Sequence, residues 1–502
     1  MMTAKIEILL HEPVATINPN IYGHFAEHLG GCIDGGFWVG EQSKIPNVGG
    51  LRSDVVEALK KLKPPVIRWP GGCFADDYHW QDGIGPRAER PKRVNIHWGN
   101  TIEPNEFGTH EFMAFCRAVG AEPYFCGNVG SGTPHELRDW VEYCNLPGGS
   151  TWSERRAQNG SPEPFRVKYW AVGNESWGCG GSFTPEEYAT EYRRFSVFMR
   201  NYGDTPLALV ACGPSGNDPD WTRRFFTQLQ DHLQAPWYKL PIYGFAAHYY
   251  AGQAGTATEY TGAEWYRLLW QAQQMEKLVV EQRALMDEFD PQREIGLIVD
   301  EWGSWHPPTP GYENRALWQQ NTLRDGLLAA LTLDIFNRHA DKVIMGNIAQ
   351  TVNVLQAMIL TEGDQMLLTP TYHVFDLYQT HQGAQSLRTV IETPDVHFTY
   401  NGEAQQLPGL MGAASLKDDL LTLTVVNPQI GTPVETEICL PDDISIQSIR
   451  ETVLTDADIH AHNTLENPNA ITLSAARELP VFGATIRHTF AAQSVTRLDI
   501  RL

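Results

Sequence analysis

Eight short apolar runs alternate with longer helical patterns between about residues 18 and 350, and this alternation limits the possible folds more than any other feature. Strongly apolar strands separated by helices are typical of a parallel sheet covered on both faces. Eight consecutive βα units favour closure into a (β/α)8 TIM barrel over an open sheet. The predicted strands are Ile21–Phe25, Val66–Trp69, Pro123–Asn128, Lys168–Gly173, Leu207–Cys212, Ile242–His248, Ile295–Asp300 and Val343–Asn347.

Helix signals lie between these strands. Thr184-Pro185-Glu186-Glu187 has the order of an N-cap, a first-turn proline and a capping glutamate, which predicts a helix to about Tyr202. Leu51–Leu62 is amphipathic, and Trp270–Phe289 is a long helical stretch that ends before Asp290-Pro291.

The pattern changes after about residue 380, where short β-type runs are separated by turn-forming pairs. These runs predict an all-β sandwich domain. The strand-like segment Lys5–Leu10 precedes the barrel and is predicted to join that domain. We therefore expect an N-terminal strand in residues 1–15, a catalytic barrel in 16–380 and a C-terminal sandwich in 381–502. The β-type runs are Leu420–Val426, Glu435–Leu440, Ile444–Leu454, Ala470–Leu473 and Ser494–Leu502.

The charge of the chain disfavours two classes of partner. Acidic residues number 60 and basic residues 38, which gives a formal charge of −22. Such a surface repels nucleic-acid phosphates and anionic lipid headgroups, so we expect no nucleic-acid or membrane partner. The N-terminal segment has no secretory apolar region, which predicts a cytoplasmic protein. The eight cysteines form no CxxC pair and are expected to be free, mostly buried thiols.

Two glutamates occupy matching places at the ends of predicted strands four and seven. Lys168–Gly173 is followed by Asn174-Glu175, and Ile295–Asp300 is followed by Glu301. A carboxylate at the carboxyl end of a barrel strand points into the mouth of the barrel. The two side chains can therefore flank one bond although 301 − 175 = 126 positions separate them.

Paired carboxylates suit the hydrolysis of an acetal. One must carry a proton to assist the leaving oxygen, and the other must be ionised to attack carbon or activate water. A single glutamate at a strand end could instead be structural, binding loop amides or an arginine. Two at matching positions, each closely followed by an aromatic residue, favour catalysis, because burying unpaired carboxylates is costly.

These motifs resemble the α-L-arabinofuranosidases of glycoside hydrolase family 51. The central motif is Tyr169-Trp-Ala-Val-Gly-Asn-Glu-Ser-Trp-Gly178, with Val299-Asp-Glu-Trp302 downstream. The resemblance covers nearly the whole chain, and it implies barrels with catalytic glutamates on strands four and seven. Further matching segments are Asn18–His28, Arg68–Asp76, Asn347–Asn353, Val453–Thr455 and Asn463–Pro468.

The resemblance also implies roles for individual residues. Glu175 would be the acid/base, and Glu301 the nucleophile. Asn174 would hydrogen-bond the sugar 2-hydroxyl, and Glu27 would bind furanose hydroxyls. The other residues implied at the sugar pocket are Cys73, Trp98, Tyr250 and Gln350.

Each proposed sugar contact has a structural alternative. Glu27 could form an ion pair with His24, His28 or Arg68, and Arg68 could instead support the catalytic carboxylates. The remaining candidates could serve only as core packing or loop caps: Cys73, Trp98, Tyr250 and Gln350.

No cofactor or metal is expected. The chain contains no HExxH motif, no Rossmann or phosphate-loop fingerprint and no serine nucleophile elbow. His24 and His28 are four residues apart, but they lie on a predicted strand-to-loop exit and not on a helix. Two loops, Gly30–Val39 and Trp302–Pro308, depart from the family pattern and would line the region beyond the arabinose.

The predicted function is a retaining exo-α-L-arabinofuranosidase acting on oligosaccharides derived from arabinoxylan or arabinan. The resemblance implies a homo-oligomer, often a hexamer. A nearer alternative is a β-xylosidase or β-1,4-glucanase with the same mechanism. A different kind of alternative is a non-catalytic carbohydrate-binding barrel, which predicts that one carboxylate is missing or displaced.

Overall fold

The structure, a computed structural model, describes residues 3–235, 239–312 and 315–502. In chain order its strands are β1 (Thr3–Thr16), β2 (Gly23–Phe25), β3 (Asn47–Val48), β4 (Leu51–Arg52), β5 (Val66–Trp69), β6 (Arg93–Asn95), β7 (Thr101–Glu103), β8 (Glu122–Gly127), β9 (Tyr169–Val172), β10 (Ala208–Ser215), β11 (Gly244–Gly252), β12 (Gly296–Trp305) and β13 (Val343–Ala349). The remaining strands are β14 (Ile359–Glu362), β15 (Gln365–Leu368), β16 (Gln385–Glu392), β17 (Asp395–Tyr400), β18 (Glu403–Pro408), β19 (Met411–Lys417), β20 (Leu420–Asn427), β21 (Val434–Cys439), β22 (Ser448–Thr455), β23 (Arg477–Leu479), β24 (Thr485–Phe490) and β25 (Ser494–Arg501). The α-helices are α1 (Ser53–Leu62), α2 (Thr109–Val119), α3 (Pro134–Asn145), α4 (Thr151–Gln158), α5 (Pro185–Ser196), α6 (Pro219–Leu233), α7 (Gly262–Phe289), α8 (Leu323–Arg338) and α9 (Pro370–Tyr378).

Eight parallel strands close into a barrel in the order β2-β5-β8-β9-β10-β11-β12-β13, with β13 pairing back to β2. Each corresponds to one of the eight predicted strands, so the TIM-barrel prediction is confirmed. Side chains such as Tyr124, Val210 and Ile298 fill the interior, as expected for a packed barrel. The carboxyl ends of all eight strands therefore meet at one rim.

Two helices differ in length from the prediction. Helix α5 begins as predicted at Pro185, after the Thr184 cap, but ends at Ser196 and not near Tyr202. The Ser196 hydroxyl donates to the Arg193 carbonyl, a local bond that competes with helix continuation. Helix α7 begins at Gly262, eight residues before the predicted start, because Thr261 and Glu264 form a capping box that the sequence analysis did not use.

A nine-stranded sheet contains β1 and eight strands from the part of the chain after residue 380. Its strand order is β23-β22-β25-β20-β19-β16-β1-β21-β24. The N-terminal strand β1 lies inside it, antiparallel to β16 and parallel to β21. Residues from both ends of this order, including Ile438 and Ile449, share one apolar core, so the sheet curls over itself. This architecture confirms the predicted C-terminal all-β domain.

The predicted strand Ala470–Leu473 is wrong. Both backbone groups of Ile471 bond to the side chain of Asn463: Ile471 N donates to Oδ1 over 2.8 Å, and Asn463 Nδ2 donates to Ile471 O over 3.0 Å. The segment is therefore held by the Asn463 side chain, and within the described residues it pairs with no strand. Strand β23, which follows it, supplies the edge of the sheet.

Helix α8 joins the barrel to the sheet and is buried on all sides from Leu323 to Asn337. Its Asp334 carboxylate accepts hydrogen bonds from the Thr424 hydroxyl of β20 (2.6 Å) and from the Tyr378 hydroxyl (3.0 Å). The two parts are thus connected by a buried polar contact as well as by packing. Within the described ranges, no helix combines the length and the hydropathy needed to cross a bilayer.

Candidate active site

Two carboxylates face each other at the rim of the barrel. Glu301 lies within β12, and Glu175 follows β9. His248, in the middle of β11, lies between them: its Nδ1 is 3.0 Å from Glu175 Oε1 and 3.5 Å from Glu301 Oε2. The contacting atoms of the three residues all lie within 4.8 Å of one another. Both glutamates therefore belong to one site at the rim.

Arg68 and Tyr250 hold the Glu301 carboxylate. Arg68 Nη1 donates to Oε1 over 2.7 Å, and the Tyr250 hydroxyl donates to Oε2 over 2.8 Å. Burial alone would raise the pKa of Glu301, but the charges on His248 and Arg68 and these hydrogen bonds lower it below its ordinary value. Glu301 is therefore an ionised carboxylate at neutral pH, as a nucleophile requires.

Arg68 connects several of the site residues. It is fully buried, its Nε lies 3.1 Å from Asp300 Oδ2, and its Nη2 donates to Asn174 Oδ1. Burial would lower the pKa of the guanidinium, but the carboxylates of Asp300 and Glu301 raise it, so Arg68 keeps its charge. One cation thus orients both Glu301 and Asn174.

The loop that carries Glu175 is fixed by a buried acid on another loop. Asp76 Oδ2 accepts from Asn174 N over 2.8 Å, and its Oδ1 accepts from the backbone of Val129 (2.7 Å) and Gly130 (2.8 Å). Burial raises the pKa of Asp76 to about 7 although these bonds favour its charge. Glu175 itself has a φ of 39°, a region that L-residues rarely adopt, and such backbone strain is often found at functional sites.

Glu27 lies near Glu301 in the same site. Its Oε1 accepts from Trp98 Nε1 (3.0 Å) and Phe74 N (3.1 Å), and its Oε2 accepts from Gln350 Nε2 (3.1 Å). A Cβ at Gly72 would lie 3.0 Å from Glu301 Oε1 and 3.4 Å from Glu27 Oε1, so the backbone must approach both acids without a side chain. Burial, followed by the charge of Glu301, raises the pKa of Glu27 to about 7.

The alternative ion pairs considered for Glu27 do not occur. Among the described contacts, His28 pairs with Glu103 and accepts from the Trp69 indole. His24 is fully buried, and its ring nitrogens have no hydrogen-bond partner. Its burial lowers its pKa to about 3, so it is neutral.

A disulfide joins Cys73 to Cys179 beside Glu175. The expectation that all cysteines are free is therefore wrong for this pair. Cys73 lies in the loop after β5 and Cys179 in the loop after β9, and the barrel brings these loops together although they are 106 residues apart. The other six cysteines are free thiols.

Each of the eight residues predicted for the site contacts another of them directly or through Arg68 or His248. Their functional roles stay predictions, because contacts alone do not test them. The sequence analysis missed three neighbours that the fold adds: His248, Asp76 and Cys179. His248 ends a predicted strand, and this position was the available signal for it.

The outer part of the site carries an exposed aromatic side chain. Trp305, the last residue of β12, is 39% exposed. Its ring meets that of Tyr250 edge to face, with centroids 5.2 Å apart and planes at 86°. Trp305 thus continues the aromatic surface of Tyr250 toward solvent, in the segment 302–308 that the sequence analysis marked as departing from the family pattern.

Two family models match the chain. Residues 58–261 match the "Alpha-L-arabinofuranosidase 1 domain", and residues 300–494 match the "Alpha-L-arabinofuranosidase C-terminal domain". Together they span both catalytic candidates and most of the nine-stranded sheet.

Characterised relatives and solved structures agree with these matches. The chain is 41% identical to an intracellular exo-alpha-L-arabinofuranosidase of Bacteroides ovatus, over 99% of this chain and 96% of that protein. It is similar to the crystal structure of a GH51 arabinofuranosidase from Xanthomonas axonopodis pv. citri, with a TM-score of 0.93, 39% identity and 99% of each chain covered. The alpha-L-arabinofuranosidase of Thermotoga maritima, solved as an arabinose complex, gives a TM-score of 0.88 at 32% identity over 99% of this chain and 100% of that chain.

Proposed function

The chain belongs to the α-L-arabinofuranosidases of glycoside hydrolase family 51, and on this premise we propose that it is a retaining, exo-acting enzyme working by double displacement. Its substrates are oligosaccharides from arabinoxylan or arabinan that end in arabinofuranose. The family assignment makes the chain a glycoside hydrolase with arabinofuranosidase activity, and it disfavours the xylosidase, glucanase and non-catalytic alternatives.

The proximity of the two carboxylates carries the proposal of retention. Retaining enzymes place the two carboxyl groups about 5–5.5 Å apart, whereas inverting enzymes leave about 6.5–9.5 Å for a water molecule. Oxygens of Glu175 and Glu301 within 4.8 Å of each other support the retaining arrangement. The lowered pKa of Glu301 supports its assignment as the nucleophile.

The proposed reaction has two steps. Glu301 attacks the anomeric carbon while Glu175 protonates the leaving oxygen, and a covalent arabinosyl-enzyme forms. Glu175 then removes a proton from water, which attacks the same carbon and releases arabinose with the original anomeric configuration. His248 hydrogen-bonds Glu175 and orients its carboxyl group for both proton transfers.

The difference in exposure between the two acids supports exo action. The Glu301 side chain is 7% exposed and that of Glu175 is 18% exposed. The site is therefore more closed at Glu301 than at Glu175, where the acid meets the leaving group. A terminal sugar can enter this closed end, where we assign Glu27, Asn174 and Gln350 to its hydroxyls. We assign Cys73, Trp98 and Tyr250 to the wall of the same pocket.

The decisive experiment replaces the nucleophile. Glu301→Ala should abolish hydrolysis of p-nitrophenyl α-L-arabinofuranoside while the circular dichroism spectrum is unchanged. NMR of the first product of the wild-type enzyme should show the α-anomer. Substantial turnover by the variant, or a β-anomer as first product, would contradict the mechanism. Faster cleavage of the corresponding xyloside or cellobioside would contradict the substrate.

We also propose a cellular location and an oligomeric state for the enzyme. The name of the Bacteroides ovatus relative includes "intracellular", which supports a cytoplasmic location and short imported oligosaccharides as substrates. We further propose a homo-oligomer, up to a hexamer. Size-exclusion chromatography with light scattering tests this, and a monomeric mass at micromolar concentration would contradict it.

A further inference from the structure

The Cys73–Cys179 disulfide lies against the carboxyl group of Glu175. The Cα atoms of the two cysteines are 5.5 Å apart. Glu175 Oε2 is 3.5 Å from Cys179 Sγ and 3.8 Å from Cys73 Sγ. A disulfide sulfur has no hydrogen to donate, so these are contacts and not hydrogen bonds. All three residues are partly exposed, so the cluster is accessible to a small ion from the mouth of the barrel.

We propose that reduction of this disulfide converts the cluster into a binding site for a thiophilic divalent cation, with Zn²⁺ as the ligand of choice. Zinc binds thiolates at about 2.3 Å and carboxylate oxygens at about 2.0–2.2 Å in a tetrahedron. A sulfur and an oxygen on one zinc ion are therefore about 3.6 Å apart. The two observed sulfur-to-oxygen distances, 3.5 and 3.8 Å, already match this spacing.

The reduction requires a thiol or phosphine reductant. A dithiol supplies two electrons and two protons, the bond between the two cysteine sulfurs breaks, and the dithiol becomes its own disulfide. A phosphine supplies the two electrons instead, takes the oxygen of one water molecule to become a phosphine oxide, and the two protons of that water end on the cysteine sulfurs. Each cysteine then carries a thiol. Zn²⁺ displaces the two thiol protons to solvent and is bound by two thiolates and Glu175 Oε2, with the fourth position open to water.

The charges around the cluster favour a cation. Glu301 and Glu175 lie on the same side, and the two nearby cationic groups are already occupied: Arg68 by Asp300 and Glu301, and His248 by Glu175 and Glu301. His248 donates to the other oxygen of Glu175, Oε1, and so leaves Oε2 free to face the sulfurs. The sulfurs and the carboxylate together provide three zinc ligands once the cysteines are reduced and their sulfurs move apart to about 3.8 Å, the spacing of two thiolates on one tetrahedral zinc ion.

Metal binding at this position would stop catalysis. A Glu175 oxygen bound to zinc cannot carry the proton for the leaving group; this consequence, unlike the site itself, rests on the proposed function. The oxidised chain would be insensitive to zinc, and the reduced chain would be inhibited by it. The cysteine pair would thus control whether the ion reaches the acid/base.

Metal binding is tested directly on the full-length chain. The chain is reduced with a phosphine, desalted without oxygen, and titrated with Zn²⁺ by calorimetry and with Co²⁺ by absorbance. We expect one equivalent of Zn²⁺ to bind the reduced chain and a sulfur-to-cobalt charge-transfer band to appear. The oxidised chain and reduced Cys179→Ala should show neither. Cys439→Ser, which removes a partly exposed thiol on β21, is the matched control and should behave as wild type.

Two results would overturn the site: equal zinc binding by the oxidised chain, or undiminished binding by reduced Cys179→Ala. The activity measurement is separate. Saturating Zn²⁺ should lower the rate of the reduced enzyme on the order of a hundredfold, because general acid–base catalysis contributes about 10²–10⁴-fold, and a chelator should restore it. Binding without loss of rate would refute the inhibition. A third outcome separates the two proposals. If the reduced chain binds zinc, but neither the oxidised chain nor the reduced chain without metal hydrolyses arabinofuranosides, the metal site stands and the proposed function is refuted.

Discussion

Replacing Glu27 by glutamine should remove a large pH dependence from the stability of the fold. In the folded chain, burial raises the pKa of Glu27 from 4.5 to about 7. Because the folded-state pKa is the higher one, the contribution of Glu27 to stability is complete below about pH 4.5 and is lost as the pH rises through about 7. Each pH unit of difference corresponds to about 1.4 kcal/mol. The wild-type chain should therefore lose about 3 kcal/mol between about pH 4.5 and pH 8 relative to Glu27→Gln.

The substitution is compatible with the local hydrogen bonds. Trp98 and Phe74 would donate to the new amide oxygen as they now donate to Oε1. Gln350 Oε1 has no partner in the described structure, so a flip of the Gln350 amide provides an acceptor for the new NH₂ group. The variant should therefore fold, while sugar binding is weakened.

The assay is urea denaturation of both proteins, followed by tryptophan fluorescence at several pH values. Glu103→Gln is the matched control: burial raises the pKa of Glu103, but the contact with His28 outweighs this and lowers it. Its stabilising contribution is present above its ordinary pKa and is lost as the pH falls, so the control should show the opposite slope. Parallel curves for wild type and Glu27→Gln would refute the reasoning.

Three further substitutions test the site. Tyr250→Phe removes a hydrogen bond to charged Glu301, worth about 1.5–3 kcal/mol, so the acid limb of the kcat/KM profile should move up by about one to two pH units; an unmoved limb would contradict the assignment. Trp305→Ala should raise KM for an arabino-oligosaccharide about tenfold but leave p-nitrophenyl arabinofuranoside nearly unaffected. Asp76→Asn places an amide NH₂ donor opposite the Asn174 N–H, which is also a donor. The free energy of unfolding measured with urea should fall by about 2 kcal/mol, and kcat should fall as well. Wild-type values for both would show that Asp76 does not hold the loop.

The barrel and the position of the two proposed catalytic glutamates at its rim were predictable because their signals are local. An apolar run such as Val66–Trp69 identifies a strand wherever its partners lie, and a carboxylate directly after such a run, as at Glu301, must lie at the rim. Neither inference requires knowledge of contacts between distant residues.

The rest depended on contacts between distant segments. Cys73 and Cys179 carry no sequence signal of pairing, because their distance is set by two loops that meet only when the barrel closes. The partners of Glu27 come likewise from the loops after other strands. In residues 470–473, whose composition predicts a strand, the backbone of Ile471 is hydrogen-bonded to the Asn463 side chain and not to a neighbouring strand.

The position of β1 has a consequence for synthesis. Lys5 pairs with Glu392, and Ala4 pairs with Thr436. At about 5–20 residues per second, a ribosome needs roughly 20 to 80 s to make the partners after the first strand has emerged. During that interval the first strand has no neighbours, while the barrel segments behind it can already assemble. The chain therefore completes its second sheet with a strand that was made first and is among the last to pair.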